Sequence, residues 1–469
     1  MLNRVKVRNF KSFKHLDYKC AKLNLLTGLN GAGKSSFVQL MLLLRATANK
    51  IGKCQAEIDL KDLGIAKSFG DIRYCYADKE EQTSFSVDFT GRLLEGKDID
   101  MPALNTRVIS RIVTESVTSK RNVMIWHPDA YEEIAKCQKK QEEAWLELAA
   151  DGIDNKMHQD IVEKSDAACV AACEKFAESE RSAQEEYEEV WRRMRFIEAF
   201  RKKPQAVHEG IDIPRRAQWF SFGLDGRFDP EGGDIAEFLY KYGTTFKLMD
   251  NNPMIHPNDK QHFVTRLFTE DEFECSPSTP LIEQVNAWLD EISPGARFCV
   301  EQEELGDEEL FVVKIGFGEE SDMRQFKPQN VGLGISYVLP VLVTILTAMP
   351  GAIIIIENPE AHIHPHGQAK LGELIARAAA YGVQVFVETH SDHVINGVRV
   401  AVRDGILKPE DVRIAFFERR PHQVLGTDGE IYTEIYSEVN PISVDNNGML
   451  SDYPKGFLDE WDNQLEELM

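Results

Sequence analysis

The stretch that decides the fold is 23–36, Leu23-Asn24-Leu25-Leu26-Thr27-Gly28-Leu29-Asn30-Gly31-Ala32-Gly33-Lys34-Ser35-Ser36. Leu23 to Thr27 is an apolar run that predicts a buried strand. Gly28 opens a glycine-rich turn, and Ser35 to Ala48 reads as a helix rich in Leu, Met and Val. Gly28, Leu29, Asn30, Gly31, Ala32, Gly33, Lys34 and Ser35 together fit GxxxxGK[ST]. In that frame the glycines let backbone N–H groups converge on phosphates. Lys34 supplies a point charge to the β- and γ-phosphates, and the Ser35 hydroxyl is a Mg2+ ligand. The helix that follows presents its positive end to the anion. A structural glycine turn alone would not need Lys-Ser, so a bound nucleotide is the expectation.

Three further constellations lie far along the chain. Ile353 to Glu360 reads IIIIENPE, an apolar strand of the fully buried kind that ends in an acid. P-loop folds bring a carboxylate to the Mg2+ shell in this way, which makes Glu357 the second metal candidate. Val385 to Asp392 reads VFVETHSD and places His390 at the carboxyl end of another buried strand, where ligands bind in open α/β sheets. Gly332, Gly334 and Ser336 lie in NVGLGIS (330–336), just before an apolar helix predicted from Ile335 to Met349. Two glycines ahead of a helix leave free N–H groups and make a second candidate anion site.

The rest of the chain sets the frame. Val5, Val7 and Phe10 alternate with polar residues as in a half-buried strand. SFSVDF (84–89) and RVISRIV (107–113) are further short strands, and 296–317 predicts a hairpin turning at Gly306-Asp307. From Asp129 to Lys203 the composition shifts to Glu, Lys, Gln and Ala, which predicts two helices broken near Asp151-Gly152. The second is expected to end in a basic cluster of Arg192, Arg193, Arg195, Arg201, Lys202 and Lys203. That cluster reads either as a solvated helix end or as a phosphate contact.

Composition limits the partners. The 469 residues carry 54 basic and 77 acidic side chains, a formal net charge of −23. Proteins that coat nucleic acid nonspecifically draw affinity from neutralising phosphates, and this balance opposes that as a property of the whole molecule. The longest apolar run, Val338 to Pro350, is interrupted by Pro340, Thr344 and Thr347, so no membrane span is expected. The N-terminus lacks an apolar leader segment, and the eight scattered cysteines include no CxxC pair. Both features predict a cytoplasmic protein with reduced thiols.

The order of motifs resembles the ABC-type ATPase heads of the SMC, RecF and overcoming-lysogenization-defect proteins. It runs VKVRNFKSF, LLTGLNGAGKSS, a GxGxS turn, IENPEAHIHP and VETHSDHVINGVR. The ending, VRIAFFE to DYPKGFLDEWDNQLEEL, resembles bacterial predicted AAA-type ATPases with a C-terminal domain of unknown function. Several relatives of that kind sit in antiphage defence operons. The resemblance implies an α/β P-loop NTPase of ABC-head type, a mixed sheet core with a β lobe and a helical insertion. It divides the chain into four parts. Residues 1–125 and 286–469 form the two parts of the head, 126–205 a helical hairpin insertion, and 206–285 a helical and loop lobe.

The resemblance also implies ATP and Mg2+ as cofactors, with Gly28 to Ser36 as the Walker A loop and Glu357 as the Walker B acid. Gly332, Gly334 and Ser336 then form the signature loop that meets the partner subunit's nucleotide, and His390 is the γ-phosphate switch. One position departs from the pattern. The glutamate that usually activates water is Asn358 here, which cannot act as a general base, and Glu360 is the nearest substitute. The implied assembly is a homodimer, or a higher even-numbered oligomer, that sandwiches ATP and regulates an effector nuclease or toxin. The alternatives are a RecF-like repair ATPase that engages DNA and a nucleotide-gated scaffold with little turnover. Some relatives continue into a nuclease domain; with about 50 residues after Glu418, none is expected in this sequence.

Overall fold

Five strands run parallel in the spatial order Val412–Leu425, Leu23–Gly28, Gln384–Glu388, Ile353–Glu357 and Met194–Ile197. Ile431–Ile442 pairs antiparallel on the outer side of the first. The computed structural model describes residues 1–48, 69–77, 83–91, 104–112, 121–126, 194–199, 207–209, 233–248, 252–257, 279–305, 308–318, 323–425 and 430–469. The chain divides into two compact units. One holds residues 1, 20–40 and 192–469, the other 2–19 and 41–191.

In the first unit, strand alternation sorts the core into two layers. Val385, Val387, Ile354 and Ile356 join the cluster that includes Leu339, Leu342, Leu371, Ile375 and Ile395. These come from the helices Leu333–Leu346, Pro365–Tyr381 and Asp392–Arg403. Phe386, between the two valines, meets Phe37 of the helix Lys34–Ala48 at 6.1 Å between ring centroids, and Phe417 meets the same ring at 6.1 Å. Helices therefore cover both faces, which is why these strands read as nearly unbroken apolar runs. A second, antiparallel sheet in this unit is built from Ala296–Leu305, Glu308–Phe317, Arg324–Phe326 and Val207–Glu209.

The second unit contains an antiparallel sheet in the order Phe13–Lys19, Leu2–Phe10, Thr83–Gly91, Leu104–Ile112 and Arg121–Trp126. It includes the strands expected at 84–89 and 107–113. The mixed parallel sheet with helices on both faces, together with this β lobe, is the α/β P-loop architecture expected from the sequence.

Two expectations are corrected. The helix predicted through Lys203 gives way at Met194–Ile197 to a strand that pairs parallel with Ile353–Glu357. Met194 and Ile197 are buried, and the sheet outweighs the helical composition around them. Arg195 is correspondingly not part of a solvated basic end. Its guanidinium donates to Thr344 O at 2.9 Å, Thr347 Oγ1 at 2.7 Å and Thr347 O at 3.2 Å. It closes the C-terminal end of the helix Leu333–Leu346, where a cation suits the helix dipole. The other five basic residues of that cluster, and the two helices expected over 129–193, lie outside the described residues. The helix expected from Ile335 begins at Leu333, so Gly334 and Ser336 stand in its first turn. Among the described residues no helix is long and apolar enough to cross a membrane.

Candidate functional site

The carboxyl ends of Leu23–Gly28, Gln384–Glu388 and Ile353–Glu357 lie along one edge of the parallel sheet, where α/β folds bind ligands. The first of these strands turns into the phosphate loop. Gly28, Gly31 and Gly33 have φ of 134°, 75° and 113°, values that side chains other than glycine's rarely allow. Gly28 also lies against the neighbouring strand, and a Cβ there would stand 2.2 Å from Phe417 O. At Gly31 a Cβ would meet nothing within 4 Å, so the loop is open on that side.

Lys34 begins the helix and is only 3% exposed. Its Nζ donates to Gly28 O at 2.8 Å and Leu29 O at 3.0 Å, folding back on its own loop. Burial holds its pKa below the ordinary lysine value, with Glu388 pulling the other way. The Ser35 hydroxyl donates to Glu388 Oε1 at 3.1 Å. Glu388, 7% exposed, is the acid that sequence reasoning passed over. Burial raises its pKa, Lys34 and Ser35 oppose that rise, and Glu360 adds to it. The signal was present in VFVETHSD. Glu388 follows Phe386 at the period of a strand, so it shares the face that looks onto the phosphate-loop helix.

Glu357 stands opposite Glu388 on the adjacent strand. Its Oε2 accepts the backbone N–H of Ala199 at 3.2 Å, on the side of the Met194–Ile197 strand. Asn358 follows with φ 43°, in the left-handed region that asparagine tolerates better than glutamate. Its N–H donates to Glu388 O at 2.8 Å. The position that usually holds the water-activating acid is therefore the corner residue of a turn. Glu360, two residues on, accepts the His390 N–H on Oε1 at 2.9 Å. Its Oε2 is buried with no hydrogen-bond partner among the described residues. His390 is exposed; desolvation of its ring and then the Lys34 charge lower its pKa. Ser391 caps the helix Asp392–Arg403 by accepting from Val394 N–H at 3.1 Å, which leaves the histidine free of the capping role.

The Gly332–Ser336 turn touches this acid loop within the same chain. A Cβ on Gly334 would stand 2.3 Å from His362 O. Tyr337 stacks on His362 with centroids 5.0 Å apart. Gly332 is the N-cap with no side-chain cap bond, and a Cβ there would meet nothing within 4 Å. The helix thus offers uncapped N–H groups on its open side, while Ser336 Oγ is buried without a partner among the described residues.

The donor set fits a magnesium nucleotide. The loop carries open N–H groups and a buried lysine, and the Ser35 hydroxyl is exposed beside a carboxylate.

Three family models match parts of the chain. A family model described as "AAA ATPase domain" matches residues 1–212. One described as "AAA domain, putative AbiEii toxin, Type IV TA system" matches 178–396. A third, a protein of unknown function (DUF3696), matches 407–468. The two AAA models together span residues 1–396, and the phosphate loop lies within the first of them. The C-terminal segment is similar to the domain of unknown function named by the third model.

Among solved structures, the SmcHead bound to the C-winged helix domain of ScpA is 11% identical with a TM-score of 0.45, covering 94% of this chain and 97% of that one. The Smc head domain with an extended coiled coil bound to the C-terminal domain of ScpA, from Pyrococcus furiosus, is 14% identical with a TM-score of 0.42. It covers 100% of this chain and 99% of that one. The SMC head domain from Thermotoga maritima is 10% identical with a TM-score of 0.38, covering 94% and 99%. Among curated proteins nothing matches.

Proposed function

We propose that this chain binds and hydrolyses ATP as a head-to-tail homodimer and that the nucleotide cycle regulates a partner effector in antiphage defence. The observation that carries the reading is one sheet edge bearing Lys34, Ser35, Glu357, Glu360 and His390 beside an open phosphate loop. Gly28, Leu29, Asn30, Gly31, Ala32, Gly33 and Ser36 would line the phosphates with backbone and hydroxyl groups. Lys34 would leave its own carbonyls for phosphate oxygens. Ser35 and Glu357 would hold Mg2+, which when bound neutralises charge on the phosphates. Glu360 would orient and deprotonate water, with His390 against the γ-phosphate. Gly332, Gly334 and Ser336 would meet the nucleotide of the second copy. The open, uncapped position of Gly332 at the helix start supports that placement.

The test is steady-state hydrolysis with mass tracked by light scattering, for wild type, Glu357→Gln, Asn358→Ala and Glu360→Gln. Glu360→Gln should lose turnover by about 100-fold or more while still dimerising in ATP. A wild type that neither hydrolyses ATP nor dimerises overturns the reading. The defence role draws on the toxin–antitoxin description of one matching family. It is tested by phage plating on cells carrying the chain with its neighbouring genes, wild type against Lys34→Ala. Equal plating overturns it.

A second reading, a nucleotide-gated scaffold with little turnover, is favoured by Asn358 at its left-handed corner. Tight ATP-dependent association without wild-type hydrolysis decides for it.

A further inference from the structure

The phosphate-loop hydroxyl already has an acid, and it is not the one the motif order assigns. We propose that Glu388 is the positioning carboxylate of the metal shell. It holds Ser35 Oγ and, through it, sets the affinity of the site for magnesium-bound over metal-free nucleotide. The proposal rests on the nucleotide-site reading above and names the residue that tunes it.

Sheet order is the first support. Gln384–Glu388 lies directly beside Leu23–Gly28, with Glu388 in register with Leu26. Ile353–Glu357 lies one strand further out. At one strand spacing per step, the Glu357 backbone starts about 10 Å from the phosphate-loop strand and the Glu388 backbone about 5 Å. Engagement is the second. Ser35 Oγ contacts both Glu388 oxygens, at 3.1 and 3.4 Å. Glu357 Oε2 meanwhile accepts from Ala199 on the opposite side. Rigidity is the third. The Glu388 backbone is fixed from both sides, because Asn358 N–H donates to its carbonyl and Thr389 N–H donates to Leu26 O at 3.0 Å. Charge is the fourth. A buried carboxylate beside Lys34 opposes an incoming phosphate unless a cation accompanies it, so the same group disfavours bare nucleotide and favours the metal complex. A carboxylate that orients a metal ligand from behind tunes metal affinity by about 10- to 100-fold.

The experiment measures binding of a fluorescent ATP analogue in EDTA and in Mg2+, for wild type, Glu388→Gln, Glu357→Gln and Lys34→Ala. The amide of Glu388→Gln keeps the buried volume and still accepts from Ser35, but removes the charge. In EDTA it should bind at least as tightly as wild type. Its gain on adding Mg2+ should fall about tenfold below the wild-type gain. Glu357→Gln, which the proposed function places in the same shell, should also lower that gain, and Lys34→Ala should weaken binding in both buffers. Mn2+ paramagnetic resonance of the nucleotide complex gives a second readout. The bound Mn2+ signal should be weakened in Glu388→Gln at nucleotide saturation. Should Glu388→Gln not fold, Glu388→Asp keeps the charge one methylene back and should show a reduced Mg2+ gain. Wild-type binding with an undiminished Mg2+ gain in the Glu388 variant overturns this assignment alone. No nucleotide binding by the wild type in either buffer overturns the proposed function, and the assignment with it.

Discussion

Glu360 Oε1 accepts the backbone N–H of His390 at 2.9 Å, and this bond ties the turn after Ile353–Glu357 to the turn after Gln384–Glu388. The two variants of Glu360 should therefore behave differently. Glu360→Gln keeps an acceptor and should melt close to wild type. Glu360→Ala leaves the exposed His390 N–H to water and should cost about 0.5–1.5 kcal/mol in denaturant unfolding. Both should lose hydrolysis. Retained turnover in Glu360→Gln would remove Glu360 from the chemistry and leave it as a strut for His390.

Gly332 and Gly334 separate in the same manner. A methyl on Gly334 would collide with the His362 carbonyl at 2.3 Å, and neither backbone has a flexible end to yield. Gly334→Ala should destabilise the chain by about 1–3 kcal/mol. Gly332→Ala adds its methyl to open space and should leave the melting temperature unchanged. If Gly332 faces a second copy's nucleotide, Gly332→Ala should still weaken ATP-dependent dimerisation. Unchanged light scattering in that variant would place the dimer contact elsewhere.

Arg195 offers a test between structural and DNA-binding uses of the basic segment. Its guanidinium satisfies Thr344 O and Thr347 O at a helix end. Arg195→Ala should cost at least about 2 kcal/mol by leaving those carbonyls unpaired. Arg195→Lys should recover only part of this, because an ammonium cannot span both carbonyls as the planar fork does. If the chain binds DNA in a salt-dependent manner, the slope of affinity against salt should not change in Arg195→Ala, which removes the charge. A slope reduced by about one unit would mean that this arginine contacts a phosphate.

These contrasts show which parts of the molecule were legible in the sequence. Ile353 to Ile356 announce a buried central strand because helices on both faces allow no polar position. The phosphate loop is legible because its glycines, lysine and serine sit in an invariant order between strand and helix. Met194–Ile197 was not legible. Four residues that include two arginines, inside a helix-rich composition, become a strand only because a neighbouring edge accepts them. Asn358 could be read as the loss of a base, but not as a left-handed corner, since φ leaves no mark in composition. Glu388 was in plain view and was hidden by the histidine two residues on. Its weight comes from strand order, which pairs Gln384–Glu388 with Leu23–Gly28 ahead of Ile353–Glu357.

Tyr337 and His362 carry the last prediction. Their rings stack at 5.0 Å, and they join the start of the helix Leu333–Leu346 to the loop that follows Glu357 and holds Glu360. A stacked pair of this kind contributes about 0.5–1.5 kcal/mol beyond burial. Tyr337→Ala, His362→Ala and the double variant form a cycle that isolates this coupling from the loss of either side chain. In denaturant unfolding the cycle should return a coupling within that range. The same cycle run on the ATP concentration needed for dimerisation asks whether the stack also links one copy's acid loop to its own signature turn. If it does, the single variants should each raise that concentration, and the double variant should raise it no further than the worse single. Strictly additive shifts would mean that the two loops respond to nucleotide independently. The link between a copy's own site and its contact with the partner would then run through the Gly334–His362 backbone contact instead.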